Sequence, residues 1–255
     1  MSENNPFEIK DYNPNQKYTQ NIDLEKGNNN MNCCSTYTSR QIFIMKTYVC
    51  LAIQLFITFG ITLAFFKSPT LQSATPDQLI TLLWTFFCVS IVSMILTIIG
   101  VELLKNNLCA VIPFIVFTFA MSVVFAVGAI QYSISTVIQS IACVSLIFFS
   151  CTAFIFITKK DLHSWGGILY CSLLTLVVTS IVFIFFPPSN LIYIVYNAIG
   201  IVIFIGYVLF DTSEIIHTYE ENEYFIASMN VYLDILNLLL KFMAFLAWLK
   251  DEKKN

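Results

Sequence analysis

The chain has 255 residues, 57% of them hydrophobic and 11% charged, with a formal net charge of -3. Soluble domains carry about 25% charged residues, so this composition, with a mean hydropathy of +0.76, excludes a soluble globular domain and predicts an all-α polytopic membrane protein. The net charge says nothing about nucleic acid, but there is no basic patch to bind it; the lipid bilayer is the first partner to expect.

Residues 1–40 are polar and rich in Asn, which predicts a disordered tail. They hold no apolar core of a signal peptide, so the first membrane helix is expected to act as the targeting signal. Cys33-Cys34 in this tail reads as two unmodified thiols, with palmitoylation the other reading. The remaining six cysteines sit within or beside apolar runs and read as small core residues.

A membrane domain is predicted over residues 41–250, and seven apolar runs within it are long enough to cross a bilayer, which takes about 20 residues. They are Thr47 to Phe66, Leu79 to Val101, Leu108 to Ile130, Val137 to Ile157, Trp165 to Phe186, Leu191 to His217 and Phe225 to Leu249. Lys67-Ser68-Pro69 ends the first and Pro76-Asp77 opens the second. No charged residue occurs from Asn106 to Thr158; that stretch is too long for one crossing and is divided at the weak polar patch Gln131 to Thr136. Pro113 is placed to kink the third helix. Residues 251–255 form a short solvated tail. With the amino terminus in the cytosol, Arg40, Lys46, Lys105, Lys159 and Lys160 fall inside and Lys67 outside, as the positive-inside rule favours. Lys250, Lys253 and Lys254 oppose it if the last run is a full crossing. The length of that run favours a full crossing over a re-entrant segment.

Each of the last two runs carries an aspartate, Asp211 and Asp234. An ionisable group among hydrocarbon is costly and marks a functional site by default. The two are symmetrical about Asn222 in the acidic loop Glu220 to Glu223, so a helical hairpin puts both at one depth, ~13 Å from the turn at 1.5 Å per residue. Two apposed carboxylates titrate as a pair. They can close on one shared proton or open to a cation, which makes a pH-dependent gate from two residues. In the last run Asn230, Asp234, Asn237 and Lys241 are spaced 4, 3, 4, one narrow stripe on a helix. Asn197, Tyr207, Asp211 and Glu214 share a broader face of the run before it. Oxygens from Asp211, Asp234, Asn237 and Glu214 suit a hard cation such as calcium. Asn230 and Asn237 also read as interhelical hydrogen-bonding amides, and Lys241 as a counter-ion to an aspartate.

These residues carry a resemblance. Phe210-Asp211-Thr212 and Val231-Tyr232-Leu233-Asp234-Ile235-Leu236-Asn237-Leu238 are similar to the two aspartate motifs of the Bax inhibitor motif family, and of its lifeguard branch in particular. Weaker similarities lie at Arg40 to Thr58, Phe117-Thr118 and Thr158 to Asp161, and together they cover nearly all of residues 38–250. The resemblance implies a seven-helix fold with the last helix central. It implies a proton-sensitive calcium leak, or an exchanger, of an intracellular membrane (endoplasmic reticulum, Golgi or another endomembrane), with Asp211 and Asp234 as the pH sensor. It also implies control of store calcium and suppression of cell death. The chain departs from the family at Ser213, where Gln or His is commoner, and at Ala244, where many members have an arginine; Lys241 stands one turn earlier.

Two other readings compete. A non-transporting regulator would act through membrane-protein partners and would not need the aspartates. An intramembrane aspartyl protease would use them to activate water, but neither a Gly-x-Gly-Asp nor a Pro-Ala-Leu motif is present, so no enzyme activity and no resident cofactor are expected.

Overall fold

The computed structural model describes residues 14–103 and 107–252, with side chains described for 39–69, 71, 73–102 and 109–250. Helices follow one another without a strand among the described residues: α1 Pro14–Lys67, the one-turn α2 Pro69–Gln72, α3 Pro76–Ile98, α4 Asn107–Ala129, α5 Ile134–Thr158, α6 Gly166–Phe185, α7 Asn190–His217 and α8 Tyr224–Glu252. Seven of them, α1 and α3 to α8, are long and apolar enough to cross a membrane.

The chain divides into two units, 1–42 and 43–255. In the first, helical backbone begins at Pro14, where composition alone predicts a disordered tail. No proline and one glycine, Gly27, occur from residue 15 to 40, so nothing there breaks a helix. The side chains of Cys33 and Cys34 lie outside the described residues, as do residues 253–255 of the short terminal tail. The second unit holds six of the membrane-length helices and the first from Phe43 onward, and all interactions below belong to it.

The predicted spans fall within a few residues of the observed ones, apart from the longer amino-terminal reach of α1. The turn between the third and fourth spans is tighter than the predicted Gln131 to Thr136. Helix α5 begins at Ile134, with Ser133 as its cap, and the Ser133 hydroxyl accepts the Thr136 N–H at 3.3 Å. Ser135 and Thr136 therefore belong to the first turn of α5 and not to the connection. At its other end α5 stops on Lys159, whose φ of 49° is left-handed.

Hydroxyls inside the spans satisfy themselves on the backbone one turn back, as membrane helices require: Thr97 on Ser93, Thr118 on Phe114, Thr212 on Val208. This frees small polar residues to line close helix contacts. On α3 the buried residues Ser90, Ser93 and Thr97 form such a seam against α4. It ends at Gly100 in a π-helical turn, Ile99–Leu103. A Cβ on Gly100 would stand 3.1 Å from the Ala110 Cα, so the approach of the two backbones requires glycine.

Helix α8 packs on α3, α4, α5 and α7. Half of its apolar window is buried, 50%, and α4 is similarly enclosed at 56%, against 11–28% for the other spans. The centre of the bundle is thus shared between α4 and α8. Its core includes Phe114, Phe117, Tyr232, Leu238 and Met243. A hydroxyl cluster ties α1 and α4 to α8: Thr58 Oγ1 lies 2.8 Å from Ser122 Oγ and 2.7 Å from the Tyr232 hydroxyl. Gln54 Nε2 donates to Thr118 Oγ1 at 3.3 Å one turn away.

Candidate functional site, the carboxyl pair between the last two helices

Helices α7 and α8 form a hairpin joined by residues 218–223. Their facing residues bring Asp211 and Asp234 together, both 7% exposed, with the carboxyl groups within side-chain hydrogen-bonding reach of one another. The hairpin is less symmetrical than numbering predicts. Asp211 lies ~9 Å from the end of α7 and Asp234 ~15 Å from the start of α8, at 1.5 Å per residue, because α7 continues to His217. The imidazole Nδ1–H of His217 donates to the Ser213 carbonyl at 3.0 Å and closes that last turn.

One oxygen of the pair, Asp234 Oδ2, is buried without a hydrogen-bond partner among the described residues. An orphaned buried carboxyl oxygen is unusual and marks a place where a proton or a cation would complete the set. Tyr207, one turn before Asp211, lies close enough for both carboxylates to act on it. Beyond the hairpin end of α7 stands Tyr219, whose hydroxyl accepts from Asn230 Nδ2 at 2.6 Å. Burial first, and then the neighbouring Asp211, push the Tyr219 hydroxyl well above its ordinary pKa, so it stays protonated.

The other predicted site residues divide. Glu214 is buried but turns away, its Oε1 3.0 Å from His163 Nδ1 in the α5–α6 connection. Asn230 is engaged with Tyr219. Asn237 donates back to the Leu233 carbonyl at 2.9 Å. Among the described residues no group of three or more His, Cys, Asp and Glu is assembled as a metal site, so the pair itself, and not the four-oxygen set, is what the fold brings together.

Lys241 lies two turns beyond Asp234. Its ammonium sits 3.9 Å from the centroid of the Tyr196 ring, a cation–π contact, and no ion pair joins it to either aspartate among the described residues. Gly200 makes the room: a Cβ there would meet Lys241 Cδ and Cε at 3.1 Å. Lys241 and Asn237 border a cavity of about 450 Å³ that also takes in Asn197, Tyr132, Tyr193 and Ser180. The part of the α8 polar stripe beyond Asp234, namely Asn237 and Lys241, thus borders this space. Ala244 lines the same cavity, so an arginine in its place would extend from that wall.

Sequence reasoning missed the connection that clasps the far side of the pair. Ser213 Oγ accepts the Leu162 N–H at 3.0 Å and donates to the Lys160 carbonyl at 3.1 Å, while Glu214 holds His163. The residues next to Asp211 therefore pin the α5–α6 connection to α7. The sequence signal was Ser213 itself, a departure from the family pattern with a small hydroxyl where a long side chain is commoner.

Seven membrane-length helices, two of which bury a pair of carboxyl groups between them, define a polytopic membrane protein. Residues 40–251 match the family described as Inhibitor of apoptosis-promoting Bax1, and the chain belongs to the Bax inhibitor family. It is 29% identical over 85% of its length to Bax inhibitor 1 of Schizosaccharomyces pombe, covering 80% of that protein. It is 28% identical over 82% of its length to Protein LIFEGUARD 1 of Arabidopsis thaliana, covering 89% of it. A shorter similarity, 30% identity over 51% of this chain and 54% of the other, joins it to the Golgi anti-apoptotic protein of vaccinia virus.

Proposed function

We propose that this protein is a pH-sensitive calcium leak of an intracellular membrane, endoplasmic reticulum or Golgi, with its amino terminus in the cytosol and Asp211 and Asp234 as its proton sensor. The observation that carries this reading is the buried carboxyl pair whose Asp234 Oδ2 lacks a partner. With one proton between them the carboxyls hold each other across α7 and α8. Without it, two negative charges at one depth repel and attract a hard cation, and calcium is the cargo whose oxygen preference fits. Lys241, held on Tyr196 two turns further along α8, and Asn230 and Asn237 support the polar stripe on which the pair lies. A leak of this kind lowers store calcium and thereby acts on cell survival, in line with the anti-apoptotic name of the viral relative.

The test is calcium flux from vesicles holding the purified chain, measured from pH 5 to 8. Flux is expected to fall on acidification. Asp234→Asn and Asp211→Asn, singly and together, are expected to abolish the pH response. Unchanged flux in the double variant would remove the reading.

The anti-apoptotic names of the family and of the viral relative are met equally by a second reading, a non-transporting regulator that acts through membrane-protein partners. Protection of cells that persists in the double asparagine variant would select it.

A further inference from the structure

A second cavity lies away from the carboxyl pair. It is a cleft of about 560 Å³ between α1 and α5, floored by α8. Phe59 and Leu63 form one wall, Ile138 and Phe149 the other, and Ile235 and Leu239 the floor. Its outer lips are open: Phe56, Ile138 and Phe149 are 78, 60 and 68% exposed. In a bundle that crosses a bilayer such an opening faces acyl chains. The wall of α5 from Ile134 to Phe149 runs ~22 Å at 1.5 Å per residue, and one leaflet supplies half of a ~30 Å hydrocarbon core. The cleft is long enough to take the full hydrocarbon depth of one chain.

Phe66 and Ile134 both line the cleft, so the end of α1 and the start of α5 mark the same mouth. Two lysines belong to this end of the bundle. Lys67 is the last residue of α1 and is exposed. Lys250 reaches from α8 to the first turn of α5, donating to Thr136 Oγ1 at 2.9 Å and Ser135 Oγ at 3.3 Å. Neither lysine is ion-paired among the described residues. Lys250 is thus fixed by neutral hydroxyls beside the positive end of the α5 dipole, at the depth where a chain lying in the cleft would end in its headgroup.

We propose that this cleft is a lipid site that holds one acyl chain of an anionic glycerophospholipid, with the phosphate on Lys250 and Lys67. The charge at the mouth selects the headgroup, and the apolar walls take the chain whatever the headgroup. The site is independent of the aspartates and of any ion flux.

Native mass spectrometry of the purified full chain, offered dioleoyl phosphatidylglycerol or dioleoyl phosphatidylcholine, tests it. Each lysine near a membrane surface is worth about fivefold in anionic-lipid binding, so the wild type should retain phosphatidylglycerol by at least that ratio. Lys67→Gln with Lys250→Gln should bring the ratio to one while phosphatidylcholine is retained as before. Leu63→Trp with Ile138→Trp should displace both lipids. Because that filled variant stands or falls on its own folding, a phosphatidylglycerol with a photoreactive acyl chain maps the site in the wild type, with adducts expected on the α1 and α5 peptides that line the cleft. Equal retention of the two lipids by the wild type, a preference untouched in the double glutamine variant, adducts confined to other helices, or a lipid-free dimer with this face covered by a second copy would each overturn the proposal.

Discussion

Gly200 and Lys241 are packed against each other between α7 and α8: a Cβ on the glycine would stand 3.1 Å from Cδ and Cε of the lysine stem, and the ammonium rests on Tyr196. Alanine at 200 asks the stem to yield a few tenths of an ångström, and the helix gains ~1 kcal/mol on replacing glycine. Gly200→Ala should therefore be close to neutral in thermal unfolding. Gly200→Val overpacks the contact and should cost about 1–3 kcal/mol. Truncating the stem with Lys241→Ala should recover most of that loss, because the two residues couple directly. Additive behaviour in the double variant would show that the stem does not lie there.

Tyr232 is the donor of the central hydroxyl cluster. Thr58 spends its own proton on the Gln54 carbonyl and Ser122 spends its own on the Thr118 carbonyl, which leaves the tyrosine proton for Thr58. Tyr232→Phe should cost about 1 kcal/mol, the usual worth of an interhelical hydrogen bond in a membrane protein. Tyr232→Ala, which empties a fully buried site, should cost about 3–5 kcal/mol. Thermal melting in detergent measures both. Equal losses would mean that the hydroxyl, and not the ring, holds α1 and α4 to α8.

The α5–α6 connection depends on Ser213 more than on His163. Ser213→Ala leaves the buried Leu162 N–H without a partner, a loss of about 1–3 kcal/mol. His163→Ala removes a contact made by a side chain that is 72% exposed and should leave the melting temperature nearly unchanged. Hydrogen exchange over residues 159–165 should rise in both variants, and further in Ser213→Ala. The reverse order would place the clasp in the imidazole.

Lys159 adopts a left-handed conformation at the end of α5, which costs an ordinary residue about 1–2 kcal/mol. Lys159→Gly should therefore raise the stability of the chain by up to that amount. A fall in melting temperature would mean that the lysine side chain contributes more than its backbone costs.

The spans were legible in the sequence because each apolar run must match one bilayer thickness, and lysines or prolines mark nearly every end. The α4–α5 connection was drawn too wide because Ser135 and Thr136 look like turn residues; their hydroxyls instead receive the ammonium of Lys250, over a hundred positions away. Asp211 and Asp234 were legible because a carboxylate in an apolar run has few structural uses and because the hairpin relates their positions by local numbering. Glu214 was read into the same site since it shares the helix face. Its turn toward His163 depends on a loop fifty-one residues away that no local pattern encodes. Tyr232 falls inside the second aspartate motif. An aromatic residue in an apolar run reads as core, and the sequence carries no mark of where its hydroxyl points.

The connection of residues 218–223 also has a consequence for how the chain enters the membrane. A lone carboxylate resists partition into lipid, yet each aspartate here is tethered to the other through a short turn, and short closures carry little entropic cost. The two helices can therefore partition as one insertion unit, with each acid already beside a carboxyl group that can share its proton. A flexible spacer placed after Glu221 would keep both helices and both carboxyls and still impair integration, because it lengthens the interval during which each acid must enter the bilayer alone.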